Sequence, residues 1–247
     1  MVMIHGVDFS GADSGGKAKI VIASVGADGQ VRVRRGIDRN ALRRSILESI
    51  ETPGRDEWRI DAPFSVPEVV YEQHGIEPEW RALAEWMDGF DTPRDWRRAM
   101  REVSRKEPRR TCDRAAHTPM APMNLRVFKQ TWTVVCEILL PLAEAGVHIA
   151  PLHPTGAPCT VHEACPASVL AFRGESSRGY KGRSDANAAR RRELCSLIAE
   201  WGLVVSPGDR AAAVRDPEGD LLDAMLLLAP PQQHVPPREA RVEGWVW

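Results

Sequence analysis

The sequence predicts an α/β domain in which a mixed β-sheet is flanked by helices. Three short β-like segments open the chain, and the connections between them are too short for any pairing but an antiparallel one. A helical segment then leads into a fourth strand, and such a crossover places that strand parallel to a neighbour. Helices and short strands follow to the end of the chain, which is typical of a sheet covered by helices.

Size and composition fit one soluble domain over residues 1–247. Hydrophobic residues make up 43% of the chain and charged residues 27%, enough for a core and a solvated surface. No apolar run approaches the roughly 18 residues that cross a bilayer, and the first residues lack the basic start of a secretory signal. We therefore expect a cytoplasmic protein without membrane contact. The cysteines number five and are widely spread, which indicates free thiols rather than disulfides.

The first three strands are predicted from local pattern. Residues 1–8 are apolar and partly β-branched, and residues 9–16 supply turn residues. Residues 19–25 form a second strand, which a hairpin signal at 27–29 joins to a third. In that third strand, residues 30–35, valines alternate with polar residues, as expected where one face is exposed.

The middle of the chain is predicted to be mostly helical. Residues 39–50 carry apolar side chains at helical spacing, and residues 58–61 form a short fourth strand that a proline ends. We interpret residues 68–123 as a helical insertion, whose last part, residues 109–123, is a long loop. An amphipathic helix is predicted over 124–146, with a proline that kinks or ends it.

The last part of the chain alternates between short strands and helices. Strands are predicted at 147–150 and 160–163, and a last one at 203–205. A helix over 185–201 begins at an aspartate cap, and an apolar helix follows at 220–229. This element order is that of the RNase H-like fold. We expect a five-stranded mixed sheet, with three antiparallel strands followed by parallel ones.

Five carboxylates stand where strands end or where an apolar helix begins. Asp8, Asp61 and Glu163 each close a predicted strand. Asp220 and Asp223 open the last helix, and their spacing of three residues puts them on one helical face. Each also has a structural explanation, because aspartates often cap turns and helices or lie on a solvated face.

Carboxylates that converge in space need a cation. Their mutual repulsion and their burial raise their pKa values unless a positive charge compensates. Oxygen ligands of this kind suit Mg²⁺ or Mn²⁺, and two such ions can activate water and stabilise the leaving oxygen in phosphodiester cleavage.

Six short motifs, spaced along the chain in order, carry a likeness to a known family. They are residues 6–11 (GVDFSG), 60–67 (IDAPFSVP), 110–113 (RTCD), 162–166 (HEACP), 219–224 (GDLLDA) and 243–247 (EGWVW).

These motifs resemble the domain of unknown function 429 family, whose members are described as predicted nucleases with an RNase H-like fold. By analogy with RNase H-like nucleases, the resemblance implies that Asp8, Asp61 and Asp223 are the core metal ligands. Asp220 and Glu163 would support them, and Mg²⁺ or Mn²⁺ would be the cofactor. The likeness extends over nearly the whole chain, but it does not identify a substrate.

Basic segments indicate where nucleic acid could bind. The net charge of the chain is −1, so any attraction for phosphates must come from local patches. Residues 94–110 and 173–192 are both rich in arginine and lysine, and Lys181 or Arg190 could reach a scissile phosphate. Solvated helical faces explain such segments equally well.

One cluster of soft ligands is also present. Cys159, His162 and Cys165 lie close together in the sequence. Structural zinc sites normally use four ligands, so buried and inert thiols are the favoured interpretation.

Three functional hypotheses follow, of which the favoured one is a hydrolase, a metal-dependent nuclease acting on DNA or RNA. The second is a phosphotransferase or ATPase of the actin and sugar-kinase superfamily, since residues 6–11 with Gly15 and Gly16 permit a phosphate-binding turn. Such proteins usually duplicate the fold, and this chain is too short for two copies. The third is a non-catalytic binding module of the same fold.

Overall fold

The computed structural model describes residues 2–12, 18–51, 54–230 and 235–247. One mixed sheet lies at its centre, with six strands in the spatial order β3-β2-β1-β4-β6-β5. The strands are β1 (Val2–Asp8), β2 (Ile20–Val25), β3 (Val31–Ile37), β4 (Arg55–Asp61), β5 (His148–Ala150) and β6 (Thr160–Ala164). The first three pair antiparallel, while β1 with β4, β4 with β6 and β6 with β5 pair parallel.

The predicted α/β fold with a mixed, RNase H-like sheet is confirmed. The sheet has six strands rather than five, and the short β5, predicted at 147–150, forms its edge beside β6. The fourth strand also begins earlier than predicted, because it pairs with β1 along the whole length of that strand. The strand predicted at 203–205 is wrong, since Val204 makes only an isolated bridge to Gln30.

Helices cover the sheet and fill the connections. They are α1 (Arg39–Glu51), α2 (Glu68–His74), α3 (Trp80–Asp88), α4 (Pro93–Val103), α5 (Thr111–Ala115), α6 (Phe128–Thr133), α7 (Leu140–Glu144), α8 (Pro166–Phe172), α9 (Asp185–Glu200), α10 (Pro207–Arg215), α11 (Asp220–Leu226) and α12 (Ala240–Glu243). A π-helical segment, Val134–Leu139, joins α6 to α7. No helix in these residues has the length and apolar character that a membrane span requires.

Several helix boundaries differ from the sequence prediction. The loop expected at 109–123 contains α5, and α10 had no apolar periodicity to reveal it. Pro141 lies just after the π-helical segment, and the helical course continues past it to Glu144. Asp185 does not cap α9: the hydroxyl of Ser184 does, accepting a hydrogen bond from the backbone N–H of Asn187 at 3.2 Å.

Both faces of the sheet are buried, and the alternation of side chains along β2 shows how. Ile20 and Ile22 belong to one core, formed with α1, α3 and the π-helical segment. Val21 and Ala23 belong to a second core on the opposite face, formed with α9 and α11. The carboxyl ends of the parallel strands thus lie at one edge of the sheet, between two helical layers.

Cysteines and tryptophans mostly belong to these cores. All the cysteines are free thiols, as predicted, and only Cys165 is not fully buried. Trp80, Trp96 and Trp132 are buried and pack in the first core.

Candidate metal centre

Asp8 and Asp61 lie side by side because β1 and β4 are parallel neighbours. Each residue closes its strand, and the two are directly paired in the register. Parallel strands end at the same edge of a sheet, so residues that are far apart in sequence bring their carboxylates to one place.

Asp223 reaches the same edge because α11 packs closely on β1. At Gly6 a Cβ atom would stand 2.2 Å from the carbonyl oxygen of Ala224 and 2.9 Å from the Cβ of Leu227. Only glycine permits this approach. The residue before Ala224 is Asp223, which is therefore held over the ends of β1 and β4.

The three carboxylates form one group. One oxygen each of Asp8, Asp61 and Asp223 lie within 4.8 Å of one another. Asp223 is 1% exposed, whereas Asp8 and Asp61 are half-buried and face a cavity. This acidic triad can hold a metal ion, and its members are the three aspartates that the family resemblance implied.

The pKa values of the triad show that Lys181 compensates its negative charge only in part. Burial raises the pKa of Asp61 to about 8, and the neighbouring Asp223 adds to the rise. Burial, followed by repulsion from Asp223 and Asp61, raises the pKa of Asp8 well above its ordinary value. Burial also raises the pKa of Asp223, against the opposing effect of Lys181. A divalent cation would offset the repulsion between the carboxylates, so the donor set fits a hard metal ion.

Asp223 is oriented by two residues of the loop before α9. The hydroxyl of Tyr180 donates to Oδ1 of Asp223 at 2.7 Å, and the Nζ of Lys181 lies 2.6 Å from Oδ2. Burial lowers the pKa of Lys181, but Asp223 and the other aspartates outweigh it, so the net shift is upward. Arg191 of α9 anchors the loop by donating to the carbonyl oxygens of Tyr180 and Gly182.

Gln130 fixes the other side of the triad. Its Nε2 donates to the carbonyl oxygens of Phe9 at 2.8 Å and Asp61 at 2.6 Å, tying together the chain that leaves β1 and β4. Gly11 makes this possible, because a Cβ there would lie 2.5 Å from the Cα of Gln130. Sequence analysis did not single out Gln130, Tyr180 or Arg191.

Glu163 lies outside the triad and belongs to a different network. Its carboxylate accepts hydrogen bonds from both terminal nitrogens of Arg110 and from the backbone N–H of Phe64. Arg110 also pairs with Asp113 at 2.8 Å. Arg110, Asp113 and Glu163 are all at most 3% exposed, and we call them the arginine network.

Asp220 is not one of the three converging carboxylates, but its charge adds to the raised pKa values of Asp8 and Asp223, and Arg190 lies elsewhere. Asp220 lines a second cavity that also includes Asp8, and burial, followed by repulsion from Asp216, raises its pKa. Arg190 pairs with Glu175 at 2.7 Å and with Glu193 at 3.0 Å, and it does not line the cavity over the triad. Lys181 is the predicted basic residue that the fold brings to the carboxylates.

The soft-ligand cluster shows no sign of a metal site. Among the described residues, the acidic triad is the only group of three or more metal-ligating side chains that converge. Burial raises the pKa values of the Cys159 and Cys165 thiols to about 12 and lowers that of His162 to about 4. These thiols therefore stay protonated, in keeping with packing rather than metal binding.

A family model described as "Protein of unknown function (DUF429)" matches residues 6–232, and the chain belongs to that family. Comparisons with curated proteins and with solved structures gave no match. The matched residues contain every member of the triad and of the arginine network. The likeness noted at residues 243–247 falls outside the matched range.

Proposed function

We propose that this member of the DUF429 family is a metal-dependent nuclease, which hydrolyses phosphodiester bonds of nucleic acid with Mg²⁺ or Mn²⁺ held by Asp8, Asp61 and Asp223. The observation that carries the proposal is the convergence of these three carboxylates, within 4.8 Å, on the edge of an RNase H-like sheet.

The chemistry of the donor set supports a hard divalent cation. The triad offers only carboxylate oxygens, and such ligands favour Mg²⁺ or Mn²⁺ over soft metals. When bound, the metal would lower the pKa of water and polarise a phosphoryl oxygen. The acids themselves, with raised pKa values, would give up protons to bind it.

Residues around the triad are suited to a phosphate. Lys181 is 55% exposed and lies at Asp223, so its ammonium group can contact a non-bridging phosphate oxygen and offset the charge that develops there. Tyr180 and Gln130 hold the carboxylate and backbone positions that repulsion among the aspartates would otherwise disturb. The basic residues of the loop before α9 provide the local attraction that a net charge of −1 does not.

A cleavage assay tests the proposal. Purified protein would be incubated with labelled single-stranded, duplex and hybrid substrates in Mn²⁺ or Mg²⁺, with chelator as the blank. We expect metal-dependent cleavage that falls on the order of 10³-fold in Asp8→Ala and in Asp61→Ala. Asp185→Ala, an exposed aspartate at the start of α9, is the matched control. Activity that survives Asp8→Ala or Asp61→Ala defeats the assignment.

The phosphotransferase alternative receives no comparable support. Members of that superfamily usually contain two copies of the fold, whereas the described residues form a single six-stranded sheet. Gly15 and Gly16, on which that hypothesis drew, lie outside the described residues. An assay for ADP released from ATP in Mg²⁺ separates the two functions, since a nuclease of this kind does not require ATP.

A further inference from the structure

We infer that the cavity over the triad binds the terminal nucleotide of a nucleic-acid strand, so that the protein releases nucleotides one at a time. This inference rests on the proposed nuclease function and adds the form of the substrate. The cavity has a volume of about 440 Å³, and Asp8, Asp61 and Asp223 all line it.

The size of the cavity selects a small occupant. Pockets that hold one small organic molecule measure about 300–1,000 Å³, and this cavity lies at the lower end of that range. A double helix cannot enter such a space, whereas one nucleotide can once it is separated from its neighbours.

The walls of the cavity suit the faces of a base. Pro63 follows β4, Met120 and Val127 come from the segment between α5 and α6, and Pro166 and Ala167 begin α8. These side chains are apolar, and their rings and methyl groups offer contact without hydrogen-bond demands. Apolar walls with a few polar groups are typical of sites that bury a heterocycle.

Two arginines at the cavity could bind the phosphate groups of the nucleotide. Arg126 comes from the segment before α6 and Arg178 from the loop before α9, so they approach from different elements. Both are exposed, and neither forms an ion pair with a carboxylate of the described residues. Guanidinium groups bind phosphate oxygens in a bidentate manner, which favours a phosphorylated ligand over a neutral one.

A second cavity next to the first could hold the rest of the nucleic-acid strand. This second cavity, of about 570 Å³, shares Asp8, Arg126 and Gln130 with the first. Lys19 and Arg126 bring positive charge to its wall, and Glu218 and Asp220 bring negative charge, so further phosphates would lie beside Lys19 and Arg126. Asp8 therefore lies where a compartment for one nucleotide meets a groove for the chain.

The reaction at that point is hydrolysis of the last phosphodiester bond. The oxygen of water bonds to phosphorus, the bond from phosphorus to one bridging oxygen breaks, and the protons of water end on the departing sugar hydroxyl and on solvent. The products are a mononucleotide and a strand shorter by one residue.

A comparison of linear and circular nucleic-acid substrates tests the inference directly. Linear and circular single strands of the same sequence would be incubated with the protein in Mn²⁺, and products would be sized. We expect mononucleotides from the linear strand and at least a 20-fold lower rate on the circle. Equal rates on the two strands, or oligonucleotide products, would overturn the inference and leave the nuclease proposal standing.

A variant that fills the cavity gives a second test. Ala167→Trp places an indole in the compartment, while Ala171→Trp, one turn further along α8 and away from the cavity, is the matched control. Adenosine 5′-monophosphate, titrated with Mg²⁺ by calorimetry, is the probe. We expect at least tenfold weaker binding in Ala167→Trp and less than a twofold change in Ala171→Trp.

The exposed arginines provide variants that keep the fold. Arg178→Ala should weaken binding of adenosine 5′-monophosphate at least fivefold, and Arg183→Ala, which is exposed but does not line the cavity, should not. Unchanged binding in both Ala167→Trp and Arg178→Ala overturns the nucleotide site.

The two proposals fail in different ways. If no polymer is cleaved but the monophosphate binds and Ala167→Trp abolishes that binding, the nuclease proposal falls and the nucleotide site is supported. If neither cleavage nor binding occurs, both proposals are overturned.

Discussion

Two acidic groups line the same cavity, yet they differ in how their charge is balanced. In the arginine network, Arg110 lies between Asp113 and Glu163, and all three are almost completely buried. In the triad, three carboxylates share one lysine, whose side chain is 55% exposed. The triad, with less compensating charge, is therefore the group of the two that could hold a cation.

The arginine network also has a structural task. Arg110 donates to the carbonyl oxygen of Glu243 at 3.0 Å, and the carboxylate of Glu243 accepts from the N–H groups of Thr111 and Glu68. The arginine network therefore joins the end of β6 to α5 and to residues 243–247. In the triad, the side chain of Asp223 links α11 to Tyr180 and Lys181 of the loop before α9.

The largest effect is expected from removing the charge of Arg110. Arg110→Met keeps most of the volume but leaves Glu163 and Asp113 buried without their positively charged partner, which should lower the free energy of unfolding by about 3–5 kcal/mol. The melting temperature should fall by about 6–20 °C. Thermal and urea denaturation measure the change, with the exposed Arg114→Met as control. A loss below 1 kcal/mol would contradict the structural role of the network.

Metal addition should stabilise the protein through the triad alone. At a Mn²⁺ concentration of 100 times Kd, the free energy of unfolding should rise by about 2.7 kcal/mol. Asp223→Asn should abolish this gain, whereas Glu163→Gln should retain it from a lower baseline. Differential scanning fluorimetry with and without Mn²⁺ gives both values. If Glu163→Gln also loses the gain, Glu163 is a ligand and the two groups are not distinct.

The metal-free protein should lose stability as the pH rises from 6 to 8. Asp61 has a folded pKa of about 8, above its ordinary value, so the folded state keeps a proton that the unfolded state has released. The stabilisation is full at low pH and disappears as the pH passes through 8. We expect a loss of about 2 kcal/mol, or about 4–8 °C, over this interval.

Urea denaturation in chelator at pH 6, 7 and 8 measures this slope. Asp61→Asn should flatten it, because the amide does not titrate, and saturating Mn²⁺ should flatten it as well. A stability that increases with pH in the metal-free wild type would mean that the triad is already compensated.

The smallest effect is expected at Arg190. Its ion pairs with Glu175 and Glu193 lie outside the cavity over the triad, so Arg190→Ala should change the cleavage rate less than twofold and cost at most about 1 kcal/mol. Lys181→Ala, in contrast, should lower the rate more than tenfold. Steady-state kinetics on the same substrate compare the two, and equal losses would remove the distinction between them.

The triad was predictable because each member leaves a local mark in the sequence. Asp8 and Asp61 end β-branched segments, and Asp223 interrupts an apolar helix. The order of the elements then predicts a mixed sheet in which the two strand ends coincide. Local pattern and topology marked these three residues together with Glu163 and Asp220, and the family resemblance singled out the three as core ligands.

The surroundings of the triad were not predictable in this way. Glu163 also ends a strand, but its partner Arg110 is 53 residues away, and no local pattern connects them. Gln130 binds the carbonyl of Phe9 across 121 residues. Such contacts depend on how the segments between β4 and β6 pack, and single-sequence periodicity does not contain that information.

The close approach at Gly6 couples the spacing of the acids to the packing of the core. The missing side chain sets how far α11 stands from β1, and Asp8 and Asp223 each lie within two residues of that contact. A methyl group there would lift the helix and separate the two oxygens without altering any carboxylate. The distance between the carboxylates is therefore set by the close backbone approach at Gly6 as well as by the acidic side chains themselves.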